Sequence, residues 1–172
     1  MSARMNVTIT GVKETLREIN KVEPELRKEI VSDFKQIVAP VIAQIKRALP
    51  VEPPLSGFAR SWTQGNNAKT PWIGATVTKT VTAKVDTRKR GNSLAVMKIV
   101  MKSPAGAIAD MAGKKGGDTP QGRIMIAALE RRYGRASRFM WPSYIDQAQE
   151  IEANIERVVE KVAEATTRRL LS

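Results

Sequence analysis

Between Pro142 and about Leu170, the residues Ile145, Ala148, Ile151, Ile155, Val158, Val162 and Thr166 recur at steps of three and four, while Glu150, Glu152, Glu156, Arg157, Glu160 and Lys161 fill most of the remaining positions. That spacing predicts one amphipathic helix with a single apolar stripe. At 1.5 Å per residue it would reach about 40 Å, more than the usual helix of a compact domain. Pro142 is placed to open it, since a proline at the first helical position gives up no hydrogen bond, and the rings of Phe139 and Trp141 just before it can pack on the first turn. A stripe of this length must be covered, so the rest of the chain has to supply its partner.

The partner is legible upstream. From Pro24 to Leu49 the positions Leu26, Ile30, Phe34, Ile37, Val41 and Ile45 again step by three and four, with Val31, Val38, Ile42 and Leu49 widening the face. Pro40 lies inside this pattern and predicts a bend near Gln36 to Pro40, with the helix continuing because the apolar phase continues. A shorter helix is expected over Val12 to Val22. Alternating apolar and polar residues predict strands over 5–10, 74–87 and 94–102. The fold class expected is therefore α+β: a small antiparallel sheet with two long amphipathic helices packed on one face. A chain of 172 residues suits a single domain, with long loops at about 50–73 and 103–123 and a helix over Ile124 to Tyr133 stopped by Gly134. The segment Ser103 to Gly113 reads as a short helical turn or an irregular piece.

The residue inventory excludes much chemistry. With no cysteine and no histidine, neither a thiolate nor an imidazole is present as nucleophile, general base or metal ligand. Gly113-Lys114-Lys115-Gly116-Gly117 lacks the spacing of a phosphate-binding loop and no helix follows it at once. Asp86, Asp110 and Asp118 form no spaced acidic pair, and Glu152 with Glu156 is explained by a solvated helix face. We expect a protein that is not an enzyme and holds no cofactor or metal. The first residues carry no apolar core of signal-peptide length and no run is long enough to span a bilayer, so a soluble, cytosolic protein is expected.

The formal charge of +12 is concentrated: 13 lysines and arginines stand against 4 acids between Lys84 and Arg138. The expected hairpin tip carries Arg88, Lys89 and Arg90, and the following loop Lys114 and Lys115. These are the candidate contacts for a partner, either DNA phosphates or an acidic protein surface. No aromatic residue interleaves the tip and no helix-turn-helix spacing is present, which weighs toward the protein neighbour. Phe58, Trp62, Phe139, Met140 and Trp141 lie in or beside loops and are the candidate subunit contacts.

Taken in order, Val7-Thr8-Ile9-Thr10-Gly11-Val12-Lys13-Glu14-Thr15-Leu16-Arg17-Glu18-Ile19, the long helix to Pro50, the Ser56-Gly57 to Ser61-Trp62 segment, the basic hairpin, the small-residue stretch Ser103 to Gly113 and Ala136-Ser137-Arg138-Phe139-Met140-Trp141-Pro142 resemble the neck or tail-completion proteins (head-tail connectors) of long-tailed bacteriophages, particularly actinobacterial phages. The resemblance covers nearly the whole chain. It implies a structural virion subunit, one of six in a ring around the DNA channel that joins the filled head to the tail tube during assembly in the host cytoplasm. Its partners would be copies of itself, a head-side adaptor or stopper, a tail terminator or tube protein, and double-stranded DNA in the lumen, with no membrane. The competing reading is a basic DNA-binding or DNA-packaging accessory protein.

Overall fold

A computed structural model describes residues 3–7, 24–60, 62–64, 67–69, 71–85, 97–113 and 119–170; the side chains of 3–7, 24–27, 62–64, 67–69, 85, 165–166 and 169–170 lie outside the description. The helix expected over Val12 to Val22 and the hairpin tip at Arg88 to Arg90 also lie outside it.

The elements run β1 (Ala3–Val7), α1 (Pro24–Ala48), a 3-10 turn (Ser56–Ala59), β2 (Trp62–Gln64), β3 (Asn67–Lys69), α2 (Gly74–Lys79), β4 (Val81–Val85), β5 (Met97–Met101), α3 (Pro104–Met111), α4 (Pro120–Tyr133), α5 (Met140–Ile145) and α6 (Ala148–Leu170). β5 is the middle of a three-stranded antiparallel sheet, paired with β1 from Ala3 opposite Met101 to Val7 opposite Met97, and with β4 from Val81 opposite Met101 to Val85 opposite Met97. β2 and β3 form a separate two-stranded hairpin. The α+β architecture follows, with helices packed on a small antiparallel sheet.

The period of two in β5 turns Met97, Ile99 and Met101 to one face, joined by Val81 and Ala83 of β4. Against that face lies α1, whose Ile30, Phe34, Val38, Val41, Ile45 and Leu49 are buried at steps of three and four. α1 is the shared wall of the fold, meeting β4 on one side and α5 and α6 on another. From α6, Ile151, Ile155 and Val162 complete the same core, with Val158 and Val159 partly buried beside them. Pro40 is accommodated inside α1, which runs unbroken from Pro24 to Ala48, and Lys46 and Arg47 in its last turn suit the negative end of its dipole.

The structure corrects several expectations. The Val- and Thr-rich stretch from Gly74 is a strand only from Val81; its first part is α2. Within this turn Thr78 Oγ1 donates to the carbonyls of Gly74 and Ala75, and Thr80 Oγ1 to that of Val77, so the hydroxyls find their partners in the local backbone. α2 sits so close to the chain after α1 that a Cβ at Gly74 would collide with the Val51 carbonyl oxygen and lie 2.9 Å from its Cα. The 103–123 loop holds two helix starts of one design: Ser103 Oγ accepts from Gly106 N and Thr119 Oγ1 from Gly122 N, each cap followed by proline. α4 accordingly begins at Pro120, four residues before the expected start.

The single C-terminal helix is two. α5 ends at Ile145, and Asp146 and Gln147 turn the chain before α6 begins. Pro142 stands at the third position of α5, still within the first turn, where its missing N–H costs nothing. The break rotates Ile145 off the stripe and leaves it half exposed. Across the break, Tyr144 Oη donates to Glu152 Oε1 at 3.2 Å, and Gln44 of α1 donates from Nε2 to Asp146 Oδ2 at 3.0 Å while accepting from Gln147 Nε2.

Ile155 is fully buried where α6 meets the shared core. Ile155→Ala should lower the unfolding free energy by about 2–5 kcal/mol in urea titration, whereas Glu156→Ala, on the exposed side of the same turn, should change it by less than about 0.5 kcal/mol.

Candidate assembly surface

The Arg138-Phe139-Met140-Trp141-Pro142 run is set by a clamp between the end of α3 and the start of α5. Arg138 is only 7% exposed. Its Nε donates to the Gly134 carbonyl at 2.9 Å, Nη1 to those of Ala109 and Asp110 at 3.0 and 3.1 Å, and Nη2 to that of Ala112 at 3.0 Å. The guanidinium thus satisfies carbonyls at the C-terminal end of α3 that no helical N–H reaches. In return Asp110, the last residue but one of α3, accepts at Oδ1 from the backbone N–H groups of Phe139 (2.7 Å) and Met140 (3.2 Å), capping α5. Each charge lies at the helix end whose dipole favours it.

The backbone between them is shaped to fit. Gly134 at φ 85° ends α4, and Ser137 at φ 69° is in a region that side chains disfavour, held there as Ser137 N and Arg138 N both donate to the Asp110 carbonyl. Burial pushes the Asp110 carboxyl above its usual pKa, against the lowering influence of the Phe139 and Met140 N–H groups and the Arg138 charge. Burial likewise pulls Arg138 down, opposed by the charges of Glu130 and Asp110. Tyr144, six residues further on, is pushed up to about 12 by burial and then by Glu152.

The clamp sorts the aromatic run. Phe139 and Met140 are each 3% exposed and belong to the chain's own core, Phe139 meeting Tyr133 edge-on at 5.5 Å between ring centres. Their expected role as subunit contacts is corrected, because the capped N–H groups turn both side chains inward. Trp141 points the other way and is 50% exposed, tilted against Tyr144 at 5.8 Å. Ile145, one turn on, is 53% exposed, so the two make a continuous apolar spot on the outside of α5. Phe58 is half buried and meets Trp72 edge-on at 6.0 Å; Trp72 is itself tied down through Nε1 to the Pro50 carbonyl at 3.2 Å, so Phe58 serves to tack the 50–73 loop onto the core. Trp62 is placed in β2 by its backbone alone. Arg88, Lys89, Arg90, Lys114 and Lys115 lie outside the described residues.

Among the described residues no group of three or more histidine, cysteine, aspartate or glutamate side chains could hold a metal ion, and no helix is long and apolar enough to cross a membrane. An open cleft of about 450 Å³ at the end of α4 is lined by Gly113, Glu130, Arg135 and Ala136. Its lining carries one carboxylate, Glu130, and one guanidinium, Arg135. Sequence reasoning singled out the aromatic run but missed Asp110 and Arg138 as a pair. They stand 28 residues apart, and no local pattern links them.

Compared with known proteins, the chain matches no family model, no curated protein and no solved structure.

The clamp yields two expected outcomes. Arg138→Met takes the side-chain donor from the Ala109, Ala112 and Gly134 carbonyls and removes the charge that favours ionised Asp110, and should cost about 3–5 kcal/mol in chemical denaturation. Asp110→Asn keeps an oxygen for both N–H groups and removes the titration. Because the folded-state pKa of Asp110 is raised, the wild type should be most stable relative to Asp110→Asn below the ordinary carboxylate pKa of about 3.9. It should lose that advantage as the pH rises through the folded-state value, which urea midpoints measured from pH 3 to pH 7 will follow.

Proposed function

We propose that this chain is a structural neck subunit of a long-tailed bacteriophage particle, one of six in a ring that joins the DNA-filled head to the tail tube and surrounds the DNA passage. The observation that carries the reading is the division of labour in the Arg138 to Pro142 run, the segment most particular to the resemblance. A six-residue helix pinned at both ends, by Asp110 and Arg138 at one and by Gln44 and Glu152 at the other, holds a tryptophan and an isoleucine out toward a neighbour. A rigid aromatic anchor of this kind is what protein contacts use, since little side-chain entropy remains to be lost on binding. The absence of histidine and cysteine from the whole chain supports a role that needs no chemistry.

The concentration of cations between Lys84 and Arg138 supports a second reading, a basic DNA-binding or DNA-packaging accessory protein. The two are separated in particles. With this chain removed, or carrying Arg88→Glu together with Arg90→Glu, electron microscopy should find DNA-filled heads and separate tails. Heads that fail to fill, together with steeply salt-dependent binding of the purified chain to duplex DNA, would favour the second reading. Normal infectious particles without the chain would overturn both.

A further inference from the structure

Two uncovered apolar spots lie on backgrounds of opposite charge. The first is the outer side of α5, where Trp141 and Ile145 are flanked by exposed Pro142, Asp146, Glu150 and Glu152. The second is on α4. Ile124 is 71% exposed, and Ala127 and Arg131 continue its stripe at steps of three and four, both exposed, with Arg135 exposed in the turn beyond. Within 119–137 the acid count is one, Glu130, while Arg123, Arg131, Arg132 and Arg135 give that region a strong positive sign. On each helix the charged rim begins within about 10 Å of the apolar spot.

We infer that these two faces are the halves of one contact between successive copies of the chain: Trp141 and Ile145 of one copy against Ile124 and Ala127 of the next, with Asp146 and Glu150 opposite Arg131 and Arg135. Charge selects this pairing. A two-fold contact of the α5 face with itself would set acid against acid, and of the α4 face with itself, arginine against arginine, and both are repulsive at close approach. The opposite-sign pairing is attractive and places a large aromatic side chain at the centre of the contact, where such residues contribute most. Because the two faces differ, every copy that joins leaves one of each kind free. Such a heterologous contact propagates until it closes into a ring. The inference rests on the neck reading only for that closure.

Sedimentation velocity and native mass spectrometry of the purified full chain test it. The wild type should assemble with concentration, less readily at high salt. Trp141→Glu and Ile124→Glu, both at exposed positions, should keep the wild-type circular dichroism and thermal midpoint while weakening self-association by about 30-fold or more. An equimolar mixture of the two variants retains one intact pair of faces, so it should form dimers that grow no further. A monomeric wild type at every soluble concentration, variants that assemble as the wild type does, or a mixture that remains monomeric would each overturn the proposal. Failure here alongside unjoined tails in particles lacking the chain would remove this contact and leave the neck reading standing.

Discussion

A buried guanidinium that bonds to the backbone decides how the C-terminal third of this chain is arranged. Taking a charge out of water is costly unless its donors are used, and Arg138 directs four of its five N–H groups to carbonyls from two separate turns. Once it is in place, the end of α3, the end of α4 and the start of α5 share one frame. Everything after Gly134 inherits its direction from that frame. The inward set of Phe139 and Met140, the outward set of Trp141 and the position from which α6 starts all follow from the same six bonds of Asp110 and Arg138 side chains to nearby backbone.

The sheet side of the molecule depends on a different kind of closeness. Gly106 of α3 lies where a Cβ would collide with Met101 Sδ and stand 2.9 Å from a Val77 methyl, so α3, β5 and α2 meet with no space for a side chain. Thr80 joins the same pieces by hydrogen bonds, its carbonyl accepting from Lys102 N and its hydroxyl from Ser103 N. α3 is therefore held from both ends, by packing and threonine near its start and by Arg138 at its finish. It transmits the position of the sheet to the aromatic run.

How much of this was legible in the sequence divides along physical lines. The apolar phases of α1 and α6 could be read directly because burial on a helix leaves a period, and the α+β class followed from them. The break at Asp146 could not be read, since Ile145 and Ala148 keep the phase while the turn between them is set by Gln44, a hundred residues away. α2 was hidden because valine and threonine favour strands on average, and that preference gives way where Val77 is buried and Gly74 lies against the Val51 backbone. The caps at Ser103-Pro104 and Thr119-Pro120 were in the sequence and would have placed both helix starts. For the candidate surface, an aromatic run announces that something packs, but which ring faces inward is decided by the partner of each backbone N–H, and Asp110 lies far upstream.

Two bonds close long stretches of chain at their base: Trp72 to the Pro50 carbonyl across 22 residues, and Arg138 to the Ala112 carbonyl across 26. In both, one side chain is specific and its acceptor is a peptide carbonyl that any residue provides. Lengthening a loop closed in this way costs only about 0.6 kcal/mol per doubling. Within the stretches from 51 to 71 and from 113 to 137, exposed positions that neither pack on the core, as Phe58, Ile126 and Leu129 do, nor bond to it, as the Gly134 carbonyl does, can therefore change while the tryptophan and the arginine hold the base. A protein built on this plan can refit its outer surface to new neighbours without rebuilding the core that carries it.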